Sequence, residues 1–257
     1  MNFKRVVTIG DAHSGHRVGL TPPKYQSAIP GDQYHRIQVE LWDYYEKVIQ
    51  LLKPIDILVH NGDAIDGKGA RSGGTELIEA DPIKQIDIAY DALKIANAKE
   101  YAFTKGTPYH TGDTTDYEKI IADKFNAPIK EHLWIEVNGV MFDIKHKIGS
   151  SSVPYGKNTQ IAKDRLWNFI WSEYDEQPKA DVYIRSHVHY FTYCGEDNYL
   201  AMTLPALQGQ GSKFGARQCS GIVHFGIVWF DCYDDGSFIW NRRILRAVSQ
   251  KQAPLRY

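Results

Sequence analysis

Apolar residues alternate between two spacings along the first half of the chain. Short runs rich in β-branched residues predict strands at 6–9, 55–59 and 101–104, and longer segments with helical spacing predict helices at 34–52 and 82–98. This alternation of strand and helix indicates βαβ units and a largely parallel sheet.

The second half of the chain predicts more strands and fewer helices. The Asn138-Gly139 pair between two apolar segments predicts a hairpin, and we interpret the pattern that follows it as antiparallel. Further helices are predicted at 115–125 and 159–174, and further strands at 182–186, 200–204, 222–230 and 238–244. We therefore predict an α/β fold of two packed mixed β-sheets flanked by helices, in a single domain over residues 1–257.

Two long glycine-containing segments interrupt this pattern. They are "SGHRVGLTPPKYQSAIPGDQ" at 14–33 and "PALQGQGSKFGARQCSG" at 205–221. Both are longer than a compact domain needs to connect its elements, which is typical of loops that shape a substrate site.

Composition restricts the class of protein. The formal charge of -1 excludes a strong overall field for nucleic acid or anionic membrane. The odd set Cys194, Cys219 and Cys232 fits a reducing compartment better than a disulfide framework. The sequence has no recognisable signal peptide or membrane span, so we expect a cytoplasmic protein without a membrane partner.

Two clusters with candidate chemistry contain aspartate. In "TIGDAHSGH", Asp11 and His13 follow a predicted strand, so both side chains can point the same way and hold one ion. In "LVHNGDAIDG", Asp63 and Asp66 follow the next strand, where a carboxylate suits a bridge between two cations. Each segment alone also fits a turn former or a helix cap, which are the commoner roles of such residues.

Three further clusters contribute histidine. His110 follows a strand and a glycine turn, where it can donate a proton to a leaving oxygen or stabilise phosphoryl charge. His146 ends "VMFDIKH", and the H-x-H pair His187 and His189 shares one strand face. A lone histidine at a strand end is more often structural, whereas an H-x-H pair is better evidence for metal. All five clusters fall at predicted carboxyl ends of strands, where α/β sheets bind ligands, so we interpret them as one metal site.

The order and content of these clusters resemble the calcineurin-like metallophosphoesterase family. Its motifs D-x-H, G-D-x-x-D, G-N-H-D/E, a lone H and G-H-x-H correspond here to residues 11–13, 62–66, 106–110, 146 and 186–189. The resemblance covers about residues 6 to 190, and "DAHSGHRVGLTPP" also resembles small members from phage and bacterial genomes. It implies a four-layer αββα sandwich with a dinuclear centre that hydrolyses phosphate esters.

The resemblance also implies a role for each residue. The first metal would be held by Asp11, His13, Asp63 and His189, and the second by Asp63, His146 and His187. Asp63 would bridge the two ions, a hydroxide that they share would attack phosphorus, and His110 would assist the departing oxygen. Mixed carboxylate and imidazole ligands suit Mn²⁺, Fe, Zn²⁺ or Ni²⁺ better than Ca²⁺, and we favour Mn²⁺.

The third motif departs from the family pattern. "GTPYH" stands where the family has G-N-H, so the family asparagine that ligates the second metal has no counterpart. Thr107 could offer a hydroxyl there, or water could fill the position. Ser186 replaces a family glycine, which we expect to be tolerated, and Asp66 is expected to orient a ligand or cap a turn.

The substrate is less closely specified. Candidates for binding it are Lys145, Lys147, Arg185 and Tyr109, with Tyr155, Lys213 and Arg217 as further candidates. Each charged candidate also fits a solvated surface position. Basic residues near the C-terminus either follow a nucleic-acid backbone or form a basic tail. They are Arg242, Arg243, Arg246, Lys251 and Arg256. We favour the tail.

We predict a metal-dependent phosphodiesterase or nuclease-like enzyme acting on nucleotides or nucleic acid. A phosphomonoesterase acting on protein or small molecules is the nearest alternative, and it differs in how open the groove is. A non-catalytic metal-binding adaptor is the alternative from another class, which the altered third motif favours and His110 opposes. A metal-dependent amide or lactone hydrolase uses different ligand patterns.

Overall fold

The computed structural model describes residues 2–28, 33–112, 114–151, 153–211, 223–245 and 256. Its strands are β1 Phe3–Ile9, β2 Ile57–Asn61, β3 Glu100–Thr104, β4 Ile129–Lys130, β5 His132–Val137, β6 Val140–Lys145, β7 Val182–Arg185, β8 Thr192–Glu196, β9 Tyr199–Thr203, β10 Phe225–Tyr233 and β11 Phe238–Leu245. Its α-helices are α1 Gln33–Leu52, α2 Pro82–Lys94, α3 Pro108–Thr111, α4 Tyr117–Lys124 and α5 Lys157–Glu173.

The strands form two mixed sheets. The first has the order β11-β10-β1-β2-β3-β4, in which β1 to β4 run parallel and β10 is antiparallel to β1. The second has the order β5-β6-β7-β9-β8. Two mixed sheets flanked by helices confirm the predicted fold class.

Each sheet packs side chains on both of its faces, and the fold therefore has four layers. Successive strand residues face opposite sides of a sheet, so Val6 packs between the two sheets while Val7 packs against the helices outside the first sheet. Residues of α1, α2 and α4 join Val7 in that outer core, and Ile161 of α5 packs with Tyr183 outside the second sheet. The chain therefore has the order helices, sheet, sheet and helix that the resemblance implied.

The second sheet corrects one expectation. The segment after the Asn138-Gly139 turn is not simply antiparallel, because β7 is parallel to both β6 and β9. Parallel neighbours need a crossover, and α5 supplies it between β6 and β7. The sequence analysis also missed β8, an edge strand of mostly exposed or half-buried residues with little apolar alternation.

None of the helices within the described ranges is both long and apolar enough to cross a membrane.

Candidate metal centre

The candidate site lies where strands of both sheets end. Strands β1, β2, β3, β6 and β7 end at residues 9, 61, 104, 145 and 185, directly before the five clusters. The backbone N–H of Asp11 donates to the carbonyl of Gly62 at 2.9 Å, and that of Ser186 donates to the carbonyl of His146 at 2.8 Å. These bonds join the loops in pairs, so clusters far apart in sequence meet at one edge.

The backbone at the site is left-handed at most of the candidate ligands. The φ angles are 51° at Asp11, 44° at His13, 53° at Asp63, 73° at His187 and 54° at His189. Residues other than glycine rarely adopt this region, and each such conformation costs on the order of 1–3 kcal/mol. Strain of this kind concentrates at functional sites, because it aims a side chain where a relaxed strand end would not.

We call Asp11, His13 and His189 the first ligand group. One ligand atom from each lies within 4.8 Å of the others. Nε2 of His189 is 3.2 Å from Nε2 of His13 and 3.3 Å from Oδ1 of Asp11. All three side chains are buried, which is the arrangement needed to surround a small cation.

We call Asp63, His146 and His187 the second ligand group, which meets the same 4.8 Å criterion. Oδ2 of Asp63 is 3.0 Å from Nε2 of His146, and the His146 and His187 rings are 5.4 Å apart between centroids. Oδ1 of Asp11 is 4.0 Å from Nε2 of His146, so the two groups adjoin.

The candidate ligand atoms are arranged better for binding a metal than for hydrogen bonding to one another. Oδ1 of Asp11 and Nε2 of His146 are buried, and their contacts with His189 and Asp63 do not have hydrogen-bond geometry, so neither atom is hydrogen-bonded in the described part of the chain. Nδ1 of His146 is 2.8 Å from the carbonyl oxygen of Asn61, which only accepts, so Nδ1 carries a proton and Nε2 can face a cation with its lone pair. A divalent ion would satisfy both atoms.

The electrostatics favour a positive charge at this position. Burial alone would raise the pKa of Asp63, but His146 and His110 lower it well below its ordinary value. Burial would also raise the pKa of Asp11, but His189 and His146 lower it to about 2. Burial would lower the pKa of His146, but Asp63 and Asp11 raise it to about 10. The two carboxylates therefore stabilise a cation, which can be a proton on His146 or a metal that displaces it.

His13 is held in its neutral form. Burial and the neighbouring His110 lower the pKa of His13 to about 4. Its Nδ1 lies 3.1 Å from Oδ1 of Asp66, which fixes the ring with Nε2 toward His189. A neutral, oriented imidazole is the form that binds metal.

Asp66 also positions His110. Its carbonyl oxygen lies 2.7 Å from Nδ1 of His110, so this nitrogen donates and Nε2 turns toward Asp63, 4.0 Å from Oδ2. His13, Asp66 and His110 form a third cluster of ligand type, but their internal hydrogen bonds fit orientation better than a further ion. Asp66 lies beside both histidines, and its orienting role stays a prediction.

Thr107 lies against Asp63. Its backbone N–H donates to Oδ1 of Asp63 at 2.7 Å, and its Oγ1 is 3.2 Å from the same oxygen. The preceding Gly106 leaves room for this contact, since a Cβ there would lie 2.1 Å from Oδ1 of Asp63. Thr107 is thus a hydrogen-bond partner of the proposed bridge, and its role as a metal ligand stays a prediction.

Two supporting residues were missed by the sequence analysis. Glu118 of α4 is buried, and its two oxygens accept the backbone N–H of Ala64 at 2.9 Å and of Gly106 at 2.6 Å. Burial and Asp63 raise the pKa of Glu118 to about 7. Asn61 donates to the carbonyl of Lys145 and to Oγ of Ser186. Neither residue belongs to a motif, although Asn61 directly precedes the motif at 62–66.

The candidates for substrate binding separate into several groups. Lys145 and Lys147 line a cavity of about 580 Å³ that also contacts His146. Tyr109 packs edge-on against His110, with 4.7 Å between ring centroids. Tyr155 is 91% exposed. Lys213, Arg217 and Cys219 lie outside the described residues.

Arg185 does not fit the expected contact with substrate. Its side chain is fully buried, with Nη1 3.0 Å from Oδ1 of Asp143 and Nε 2.7 Å from Oδ2 of Asp164. The sequence placed it near a motif, but alternation along β7 turns it into the protein, where two carboxylates neutralise it. We therefore correct its assignment from substrate binding to the core.

The described C-terminal arginines favour the basic-tail interpretation. The guanidinium of Arg242 lies over the rings of Phe191 and Trp240 on one side of β11, and Arg243 follows it on the opposite side of the strand. They do not form one continuous stripe. Arg246 and Lys251 lie outside the described residues.

Neither protein-family models nor curated proteins match this sequence. Among solved structures, an archaeal phosphodiesterase is similar at 13% identity and a TM-score of 0.48, over 94% of this chain and 99% of that one. Vps29 from Cryptosporidium parvum is similar at 11% identity and a TM-score of 0.49, over 95% and 99%. Vps29 from Entamoeba histolytica in complex with zinc is similar at 18% identity and a TM-score of 0.47, over 93% and 98%. These values are low, and the chemistry of the site therefore rests on the side chains described above.

Proposed function

We propose that the protein is a metal-dependent phosphoesterase of the calcineurin-like type, which hydrolyses phosphodiesters of nucleotides or nucleic acids. The observation that supports this function is the meeting of two adjoining ligand groups, buried except for the half-buried His187, in which Oδ1 of Asp11 lies 4.0 Å from Nε2 of His146. Adjacent sites for two divalent ions are a recurrent solution for displacement at phosphorus.

The bound ions would supply acidification of water and neutralisation of charge on the phosphoryl oxygens. The first ligand group would hold one ion and the second ligand group would hold the other, and Asp63 would contribute to both. We favour Mn²⁺, because imidazole and carboxylate ligands suit ions of intermediate softness. The chain itself keeps the two aspartates ionised and His13 neutral, buries most of the ligands, and fixes their directions through strained loops.

His110 is the proposed general acid. Its Nδ1–H donates to the carbonyl of Asp66, so Nε2 is the nitrogen that remains for substrate. When protonated, Nε2 gives its proton to the oxygen that leaves phosphorus, and the neutral ring then regains a proton from water. The side chain is only partly buried, as a group that meets substrate must be.

The test compares two esters before and after metal is removed. After chelation, we expect Mn²⁺ to restore hydrolysis of bis-p-nitrophenyl phosphate in the wild type but not in Asp63→Asn. Asp87→Asn is the matched control, because Asp87 is half-buried on α2, outside both ligand groups, and pairs only with Lys124 among the described residues. Faster turnover of p-nitrophenyl phosphate than of the diester would replace the diesterase with a monoesterase.

A second variant separates catalysis from metal binding alone. We expect His110→Gln to retain bound Mn²⁺ and to lose about 10²- to 10⁴-fold in turnover, the usual contribution of general acid catalysis. If the wild type binds Mn²⁺ but cleaves neither ester, the adaptor alternative is preferred and the proposed function is wrong.

A further inference from the structure

The cavity beside His146 lies next to the second ligand group but has its own lining. It holds about 580 Å³ between the segment that follows β3 and the end of β6. Cavities of roughly 300–1,000 Å³ hold small organic ligands. It therefore has room for a portion of a substrate whose reacting phosphate sits at the ligand groups.

Lys145 is the most informative residue of its wall. It is the last residue of β6 and directly precedes His146. Its side chain is half-buried, and no carboxylate among the described residues lies within 4.0 Å of its ammonium group. An ammonium group partly removed from water with no carboxylate in direct contact is unfavourable, and an anion in the cavity would relieve this cost.

The other charged residues that line the cavity also favour binding of an anion. Lys105 is 3.1 Å from Asp116, so this pair is neutralised within the protein. Lys147 is exposed and lines the same cavity, and Glu131 is the remaining carboxylate among the described residues of the lining. Among the described lining residues, Lys145 and Lys147 against Glu131 leave a net positive charge, to which metal at the second ligand group would add.

The uncharged part of the wall suits phosphate better than a nucleobase. Thr111, Thr114 and Thr115 are among the lining residues, and their side chains carry hydroxyl groups of the kind that donate to phosphate oxygens. Among the described residues that line the cavity there is no tyrosine, tryptophan or phenylalanine, so none offers an aromatic face on which a base would stack.

We infer that this cavity binds a second phosphate group of the substrate, held by Lys145 and Lys147, while the scissile phosphodiester lies at the two ligand groups. The inference rests on the proposed function and narrows its substrate class. The preferred substrates are nucleotide-type phosphodiesters that carry an additional phosphate, such as a short oligonucleotide with a terminal phosphate.

Thymidine dinucleotides with and without a terminal phosphate provide the test, because all of them contain the same scissile diester. The terminal phosphate is on the 5′ end in one series and on the 3′ end in the other. Contacts between a charged group and a phosphate typically change affinity roughly ten-fold or more. We expect the wild type to show about that preference in kcat/KM for one phosphorylated series.

The matched variants are Lys145→Met and Lys4→Met. Lys145→Met should reduce the preference ratio to about one, whereas Lys4→Met should keep it, because Lys4 is exposed on β1 and far from the carboxyl ends of the strands. Lys145→Arg should retain part of the preference, since it keeps the charge. A ratio of one in the wild type in both series, or an unchanged ratio in Lys145→Met, would overturn the inference.

A binding measurement separates this result from failure of the proposed function. Calorimetry of inorganic phosphate with the metal-free protein should give an affinity about ten-fold weaker in Lys145→Met than in the wild type. Equal affinities in the two proteins would count against the phosphate site even if the diester is cleaved. If the wild type does not hydrolyse bis-p-nitrophenyl phosphate but binds phosphate in a way that depends on Lys145, the proposed enzyme function is wrong and the anion site is supported.

Discussion

The Nε2 atoms of His13 and His189 lie 3.2 Å apart, although the two residues are separated by 176 positions in the chain. Nδ1 of His13 faces a carboxylate oxygen of Asp66, which accepts its proton and leaves the lone pair of Nε2 directed at His189. Oδ1 of Asp11 approaches the same place, at 3.3 Å from His189. Lone pairs that converge in a buried site repel one another, and a cation among them removes this repulsion.

Metal binding is therefore expected to stabilise the fold. A ligand at a hundred times its dissociation constant adds about 2.7 kcal/mol to the free energy of unfolding. For a chain of this size that corresponds to a rise in Tm of roughly 5–10 °C. Thermal unfolding of chelated protein, with and without Mn²⁺ or Zn²⁺, measures the effect. His189→Ala should lose most of it and His35→Ala should retain it, since His35 lies on α1 outside both ligand groups. An identical Tm with and without every divalent ion would contradict the metal centre.

Asp66 should act on metal affinity through His13. Removing a hydrogen-bond partner of a ligating histidine typically costs 10–100-fold in affinity. We expect Asp66→Ala to weaken Mn²⁺ binding by about that factor. Asp66→Asn should weaken it less, because its amide oxygen can still accept from Nδ1 of His13. Calorimetric titration of each variant gives the dissociation constants, and equal constants for Asp66→Ala and the wild type would assign Asp66 to the turn alone.

Gly106 should tolerate no side chain. A Cβ at this position would lie 2.1 Å from Oδ1 and 2.4 Å from the backbone nitrogen of Asp63. We expect Gly106→Ala to displace the proposed bridging carboxylate, to destabilise the fold by about 1–3 kcal/mol and to abolish metal-dependent turnover. Gly149→Ala is the matched control, because its nearest neighbour is the flexible end of Gln160 at 3.2 Å. Wild-type Mn²⁺ affinity in Gly106→Ala would show that Asp63 is not fixed by this contact.

The sequence indicated which aspartate and histidine side chains meet, but it did not indicate the residues and backbone conformations that hold them in place. Asp11, Asp63 and His146 could be assigned because each follows an apolar strand, and parallel strands bring their carboxyl ends together. Glu118 could not, because its partners are backbone groups of Ala64 and Gly106, and no side-chain pattern records such hydrogen bonds. Left-handed backbone at the ligands was also not predictable, since aspartate and histidine do not require it.

Pairing of strands is the part of the fold that the sequence specified least. Alternation identified β6 and β7 individually, but their parallel relation depends on where α5 packs after the crossover. The same limitation explains Arg185. Its position beside His187 indicated a surface near the substrate, whereas its burial depends on Asp143 and Asp164, which come from two other elements.

The buried contact between Asp143 and Arg185 leads to a prediction on stability. Oδ1 of Asp143 is 3.0 Å from Nη1 of Arg185 and 2.8 Å from Nε2 of His132. Burial would raise the pKa of Asp143, but Arg185 and His132 lower it below its ordinary value. Breaking a buried ion pair costs about 3–5 kcal/mol, because the remaining charge is left uncompensated. We expect Asp143→Asn to lower the free energy of unfolding by about that amount at neutral pH.

The pH dependence of this loss has a definite sign. The carboxyl has a lower pKa in the folded than in the unfolded protein, so its contribution is fully present above the unfolded pKa of about 3.9. The contribution falls as the pH drops through the lower, folded pKa. The difference between wild type and Asp143→Asn in urea unfolding should therefore stay constant from neutral pH to about pH 4 and shrink below it. Asp197→Asn, at an exposed turn, should change stability little at any of these pH values. If Asp143→Asn left stability unchanged and removed only phosphodiester turnover, Arg185 would belong to the substrate site after all.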